Sequence, residues 1–248
     1  MGVRQPESDD MNTALDRHLR THRRTPPGFT LLEILIAMFI FGIVVTTVFG
    51  SFHGVFGNVE QLEDSMNAFS MARDSFDRIA ADLRAIYVTP AVAFSPPAEA
   101  DDQDLFRLIG EADTGVDSDF SRLRFTSRAH LPIGDDRRDG IAEVIYYVTE
   151  ETDGTRVLRR SDRLELSEAE APSGNDPILC EQIRVFRIGF YDAEGEVLER
   201  WDSDSEEYDY ATPRAIRVEL EIGNDRYARG FDTAMWLPQY REKVDANR

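Results

Sequence analysis

The 248-residue sequence is poor in cysteine, histidine and positive charge. It holds one cysteine, four histidines, and 28 Lys and Arg against 47 Asp and Glu, a formal net charge of −19. A lone cysteine permits no intramolecular disulfide framework and no thiolate metal cage. Cys180 shares alternate-residue parity with Phe186, Ile188 and Phe190, which predicts a buried structural thiol rather than a reactive one. The shortage of clustered Lys and Arg excludes nucleic-acid binding. Charge is also unevenly spread. Residues 1–28 carry five arginines (Arg4, Arg17, Arg20, Arg23, Arg24) against four acids, so the remainder bears about −20. Catalytic signatures are missing too: there is no G-x-S-x-G, P-loop or G-x-G-x-x-G. The many carboxylates include no pair set apart by spacing or apolar setting, so neither enzymatic activity nor a cofactor is expected.

What is present is a long apolar run. Phe29 to Phe52 contains a single ionisable side chain, Glu33. As a helix its 24 residues rise ~1.5 Å each to roughly 36 Å, enough for a hydrocarbon core of ~30 Å. A secretory signal peptide has a shorter apolar region and a small-residue cleavage site after it. No such site follows here, and Gly28 precedes the run. Arg17, Arg20, Arg23 and Arg24 lie before the segment, whereas the first Lys or Arg after it is Arg73, beyond Glu60, Glu63 and Asp64. The positive-inside bias therefore predicts a cytoplasmic N-terminus and an acidic bulk outside, in the periplasm of a bacterium. Glu33 is costly in such a segment: a carboxylate at a membrane-helix centre costs about 2.5–3.5 kcal/mol, less near an end where it can reach headgroups. An interfacial marker and a compensated functional charge both fit that position.

The series Gly28-Phe29-Thr30-Leu31-Leu32-Glu33, after a basic leader and before an apolar helix, resembles the class III signal of type IV pilins and type II secretion pseudopilins. The resemblance implies that a membrane prepilin peptidase cuts between Gly28 and Phe29 and methylates the new amino terminus of Phe29. It also implies that Glu33 neutralises the amino terminus of a neighbouring subunit during assembly. An opposite charge held close in low dielectric offsets desolvation. The leader of about 28 residues is long for the family, and Met11 is an alternative start. His18 and His22, with the i, i+4 spacing of a helical metal pair, fall in the leader and carry no metal site.

Beyond Phe52 the helical period continues. Leu62, Met66, Phe69, Phe76, Ile79, Leu83 and Ile86 recur at three- and four-residue steps, with Ala72 and Ala80 filling in, and predict a core face packed on a sheet. Glu60, Glu63, Asp64, Asp74, Asp77 and Asp82 are assigned to the opposite, solvated face. Gly42, Gly50, Gly54 and Gly57 each cost up to ~1 kcal/mol relative to Ala, which predicts local bending or melting. Pro90 and the Ser95-Pro96-Pro97 series mark the helix end. After Asp104 the period changes to two. Strands are expected in RLRFTS (122–127), AEVIYYVT (142–149), TRVLRR (155–160), IRVFRIGFYD (183–192), EVLERW (196–201) and AIRVELEI (215–222). ARGFDTAMWLP (228–238) is expected as an edge, and 91–102 and 167–176 as loops. No internal repeat or low-complexity segment is evident.

The expected fold is α+β: a long N-terminal helix, half membrane and half amphipathic, packed on antiparallel sheet. Its divisions are a leader (1–28), an assembly helix (29–52), the amphipathic continuation (53–90), a β-rich periplasmic head (91–240) and a tail (241–248). The order of LLEILIAMFIF, FDRIAADLRAI, LRFTS, VIYYV, TRVLRR and the 183–222 block is similar to that of J-type minor pseudopilins. That likeness implies a place in a pseudopilus tip complex that initiates assembly and helps export folded proteins across the outer membrane. The partners it implies are I- and K-type minor pseudopilins, the major pseudopilin, the prepilin peptidase, the inner-membrane assembly platform and secreted substrates. A minor pilin of another type IV system and an unprocessed single-pass periplasmic binding protein are the alternatives. Two acidic stretches have oxygen donors at alternate positions: Asp202, Asp204, Glu206, Glu207 and Asp209, and Asp113, Asp117 and Asp119. Neither has the glycine and glutamate spacing of an EF-hand, so they stand as weak calcium candidates and read better as solvated loops.

Overall fold

A computed structural model describes residues 28–97, 103–112, 119–131, 138–164, 166, 174–224 and 227–244, with only the backbone of 53–61. Among the described residues one α-helix, α1 (Leu31–Arg84), leads eleven strands. The chain falls into two compact units, Met1–Phe56 and Gly57–Arg248.

In the first unit α1 supplies a 22-residue apolar span, Leu31–Phe52, with mean hydropathy 2.6 and no part of it buried within the protein. The few hydroxyls in this span are returned to the helix backbone. Thr46 Oγ1 donates to the Gly42 carbonyl (2.6 Å), Thr47 Oγ1 to that of Val44 (2.9 Å), and Ser51 Oγ to that of Thr47 (2.9 Å). Each such bond hides a donor that lipid cannot satisfy. Contrary to the expected melting, α1 runs unbroken through Gly42, Gly50, Gly54 and Gly57. A break would strand up to four amides and four carbonyls at new helix ends, which outweighs ~1 kcal/mol per glycine.

In the second unit α1 stops at Arg84, earlier than Pro90, because the next residues pair as a strand. β1 (Ile86–Tyr87) lies antiparallel to β3 (Ser121–Ser127), with Ile86 opposite Ser127. The helix end is tied to that strand: Ser127 Oγ donates to the Asp82 carbonyl (2.8 Å) and the Arg128 amide to that of Ala85 (2.9 Å).

The expected antiparallel strands form two sheets. The first has the order β6 (Ile178–Glu181), β5 (Arg156–Arg163), β4 (Ala142–Glu150), β3, β2 (Ile109–Ala112), β9 (Trp201–Asp202), with β1 also on β3. The second has the order β11 (Ala228–Trp236), β10 (Ala215–Gly223), β7 (Ile183–Tyr191), β8 (Val197–Leu198). The other alternating segments became strands as expected and β11 is an edge, but the segment expected as one strand over 196–201 divides between β8 in the second sheet and β9 in the first. β1, β2 and β6 are too short to show a period. Gln182, in a left-handed conformation (φ 57°), takes the chain from β6 to β7 and so from one sheet to the other. Cys180 and Phe186 thus belong to different sheets, and the parity argument that joined them fails. The thiol is nevertheless 1% exposed, opposite Leu158 on β5, and burial pushes its pKa up to about 12.

One apolar core joins α1 to both sheets through Ala72, Ile79 and Leu83, Phe125 and Tyr146, and Phe186, Phe190, Ile216 and Leu220. Gly110 on β2 is required there, since a Cβ would lie 1.8 Å from Phe190 Cζ. Asp82, assigned from sequence to the solvated face, is fully buried. Its Oδ2 accepts from Tyr146 Oη (2.5 Å) on β4 and Arg160 Nε (2.7 Å) on β5, and Arg78 caps its Oδ1. Arg160 also reaches Asp162 Oδ2 (2.6 Å), whose Oδ1 meets His130 Nδ1 (2.6 Å). Arg241, grouped with the tail by sequence, is also buried. It bonds Asp104 Oδ2 (2.8 Å) and the Tyr210 carbonyl (2.7 Å), with its guanidinium 3.6 Å from the Phe94 ring centroid.

Candidate functional site

The residues singled out at the N-terminus lie together where α1 begins. Gly28 and Phe29 are exposed and non-helical, with Phe29 83% exposed. A Cβ at Gly28 would meet nothing within 4 Å. The chain's own packing therefore does not demand glycine, and any demand for it must come from a molecule that binds this peptide bond.

Glu33 does something the sequence reading missed. Thr30 is the residue before the first helical position, and Glu33 is the third within it. The Glu33 amide donates to Thr30 Oγ1 (3.2 Å), and Glu33 Oε2 accepts from the Thr30 amide (3.1 Å) and hydroxyl (3.2 Å). This is a reciprocal capping box, whose T-x-x-E signature was legible. The acid also lies at the positive end of the helix dipole. All three bonds leave Glu33 Oε1 without a hydrogen-bond partner among the described residues. One carboxylate can thus start the helix and still offer an oxygen to a cation.

Further along α1 the predicted core stripe divides. Ile79 and Leu83 are buried and Phe76 is half-buried, but Leu62, Met66 and Phe69 are 61%, 62% and 57% exposed. The residues that pack inward at that level are Ala68 and Ala72. The reason is geometric. A seven-residue repeat on a 3.6-residue helix drifts ~20° per heptad, so Leu62, Phe69, Phe76 and Leu83 rotate together by roughly 60°. One stripe in sequence is outward at its start and inward at its end. The spacing Phe52, Val55, Val59, Leu62, Met66, Phe69, alternating steps of three and four, is that of a coiled-coil seam and could have identified the outward residues.

The calcium candidates are not assembled. Asp202 Oδ1 accepts from the Asp204 amide (2.9 Å), and Asp204 Oδ2 from the Asp104 amide (2.8 Å). Glu206 is exposed in a short 3-10 helix, Glu206–Tyr208, capped by Ser205. Asp119 is engaged by Arg187, and Asp113 and Asp117 lie outside the described residues, as do His18 and His22. Among the described residues no three acidic, histidine or cysteine side chains are placed to share a metal ion. Backbone amides take one oxygen of Asp202 and one of Asp204.

Comparison with known families gives two matches. The family described as type II secretion system (T2SS), protein J, matches residues 50–231. The prokaryotic N-terminal methylation motif matches residues 24–49. No curated protein matches the chain.

Proposed function

The chain belongs to the protein J family of the type II secretion system and is a minor pseudopilin, and on that premise we propose how its residues serve assembly. It is anchored by one apolar N-terminal helix and assembles with other pseudopilins of the secretion machinery. In the proposal, the prepilin peptidase cuts between Gly28 and Phe29, and Phe29 carries the N-methyl group. The N-terminus enters from the cytoplasmic side and the head lies in the periplasm. Glu33 Oε1 receives the charged amino terminus of a neighbouring subunit while Oε2 keeps the helix cap. The outward residues Leu62, Met66 and Phe69 meet the helix of an adjoining I- or K-type subunit. The assembled tip starts the pseudopilus on its inner-membrane platform, joins the major pseudopilin, and contacts secreted substrates.

The observation that carries this reading is the register of Gly28, Phe29 and Glu33 at the start of α1, exposed and with one carboxylate oxygen free. The experiment is intact mass and N-terminal sequencing of the protein recovered from membranes. A chain beginning at N-methylated Phe29 is expected, and Gly28→Ala should accumulate as precursor. Normal processing of Gly28→Ala, or a wild-type chain still bearing Arg23 and Arg24, would overturn the cleavage assignment. Glu33→Ala should insert yet fail to co-purify with partner pseudopilins.

A further inference from the structure

The head contains a cleft of about 390 Å³ that assembly through α1 leaves unused, since no residue of α1 lines it. Its wall is Trp201 stacked on Tyr208, ring centroids 4.8 Å apart. Five carboxylate side chains line it against three cationic ones, and the Arg241 guanidinium is already committed to Asp104 and backbone carbonyls. Glu207 beside Tyr208 makes no side-chain hydrogen bond or ion pair among the described residues. At the mouth, Glu194 and Asp209 hold an ammonium between them: Lys243 Nζ lies 3.6 Å from the first and 3.2 Å from the second. Lys243 is the only lysine in the sequence. These two carboxylates raise its pKa, first through the hydrogen bond to Asp209.

We propose that this cleft recognises an arginine or lysine side chain on an exposed segment of another protein, which displaces Lys243 from Glu194 and Asp209 and lies along Tyr208. The chain's own lysine shows the chemistry of the guest. A cationic head fits between the carboxylates, and its aliphatic stem fits the aromatic wall. The uncommitted Glu207 supplies a further anionic contact. The surrounding charge of about −20 draws basic segments toward the head from a distance. An acidic or apolar segment would meet unpaired carboxylates and gain none of this.

The test uses the mature full-length chain in detergent, with Trp236→Phe so that Trp201 is the only tryptophan. Trp236 is 77% exposed, so the change spares the core. Acetyl-Gly-Arg-Gly-amide is titrated against Trp201 emission, with acetyl-Gly-Glu-Gly-amide as the control. A saturable change with the arginine peptide alone is expected. Glu207→Gln with Asp209→Asn should weaken it about fivefold or more, and Lys243→Ala should strengthen it. Asn tolerates the left-handed backbone at position 209 (φ 52°), so the double variant keeps its fold, as unchanged near-UV dichroism would verify. Acetylation of Lys243 should also speed up as the peptide saturates. No saturable change, an equal response to the glutamate peptide, or indifference to the double variant would overturn the proposal. So would a tenfold gain on deleting residues 245–248, which would assign the cleft to the chain's own terminus.

Discussion

Asp82 is a buried carboxylate on which three elements of the head converge. It is wholly buried on α1, yet receives Arg78 from its own helix, Tyr146 from β4 and Arg160 from β5. Removing one partner of a buried ion pair leaves the other charge uncompensated, at a cost of about 3–5 kcal/mol. Asp82→Ala should therefore lower the unfolding midpoint by roughly 10 °C, taking 2–4 °C per kcal/mol for a domain of this size. Asp77→Ala is the control: its pair with Arg73 is largely exposed, and surface pairs contribute at most about 1 kcal/mol. Thermal unfolding followed by near-UV dichroism would compare them, and equal midpoints would refute the role given to Asp82. Cys180 makes the opposite kind of prediction. With its pKa pushed up to about 12 by burial, it should resist a thiol reagent at pH 8 until the head unfolds.

At the scale of elements, α1 presents two faces that mutation should separate. Leu62→Glu with Met66→Glu alters only exposed side chains, so the midpoint should move little while co-purification of partner pseudopilins is lost. Ala72→Leu, on the inward face, should instead cost about 1–3 kcal/mol by overpacking. If the double glutamate variant still assembles, the outward face is not the contact. These faces also mark how far the sequence could be read. Strong two-residue alternation made β3, β4, β5, β7 and β10 legible, and the apolar run made the membrane half of α1 legible. β1 and β2 were missed because two to four residues cannot display a period. The split of the apolar stripe was missed because its spacing was matched to one face without following its drift. Asp82 was misplaced because a carboxylate at that angle reads as solvated, and the arginine that buries it lies 78 positions away. At the membrane end, Gly28 and Glu33 were legible as a motif, whereas the bond from Thr30 that divides the work of the two Glu33 oxygens needed coordinates.

At the scale of the whole molecule, two buried carboxylates pull stability in opposite directions as pH changes. Burial works to raise Asp162, but His130, the Leu131 amide and Arg160 outweigh it, so its pKa is lowered. Its native form holds fewer protons than the unfolded chain. Its contribution is present above the ordinary Asp value of about 3.9 and is lost as pH falls through the depressed one. Asp204 is raised, chiefly by burial and with Asp104 and Asp202 nearby, despite the Asp104 amide and Arg241. Its native form holds more protons than the unfolded chain above about 3.9, so ionising it as pH rises through the raised value costs stability. The general repulsion of a chain at −19 also weakens it as carboxylates ionise, and that effect must be separated. Salt does so, because the Debye length falls to about 3 Å at 1 M and screens exposed charges, while a buried carboxylate is screened much less. In 1 M NaCl the wild-type midpoint should still decline as pH rises from about 3.9 through the raised Asp204 value, and Asp204→Asn should flatten that decline while leaving the acid limb, set by Asp162, in place. Parallel profiles for the two proteins would remove Asp204 from the account and leave surface repulsion as the cause.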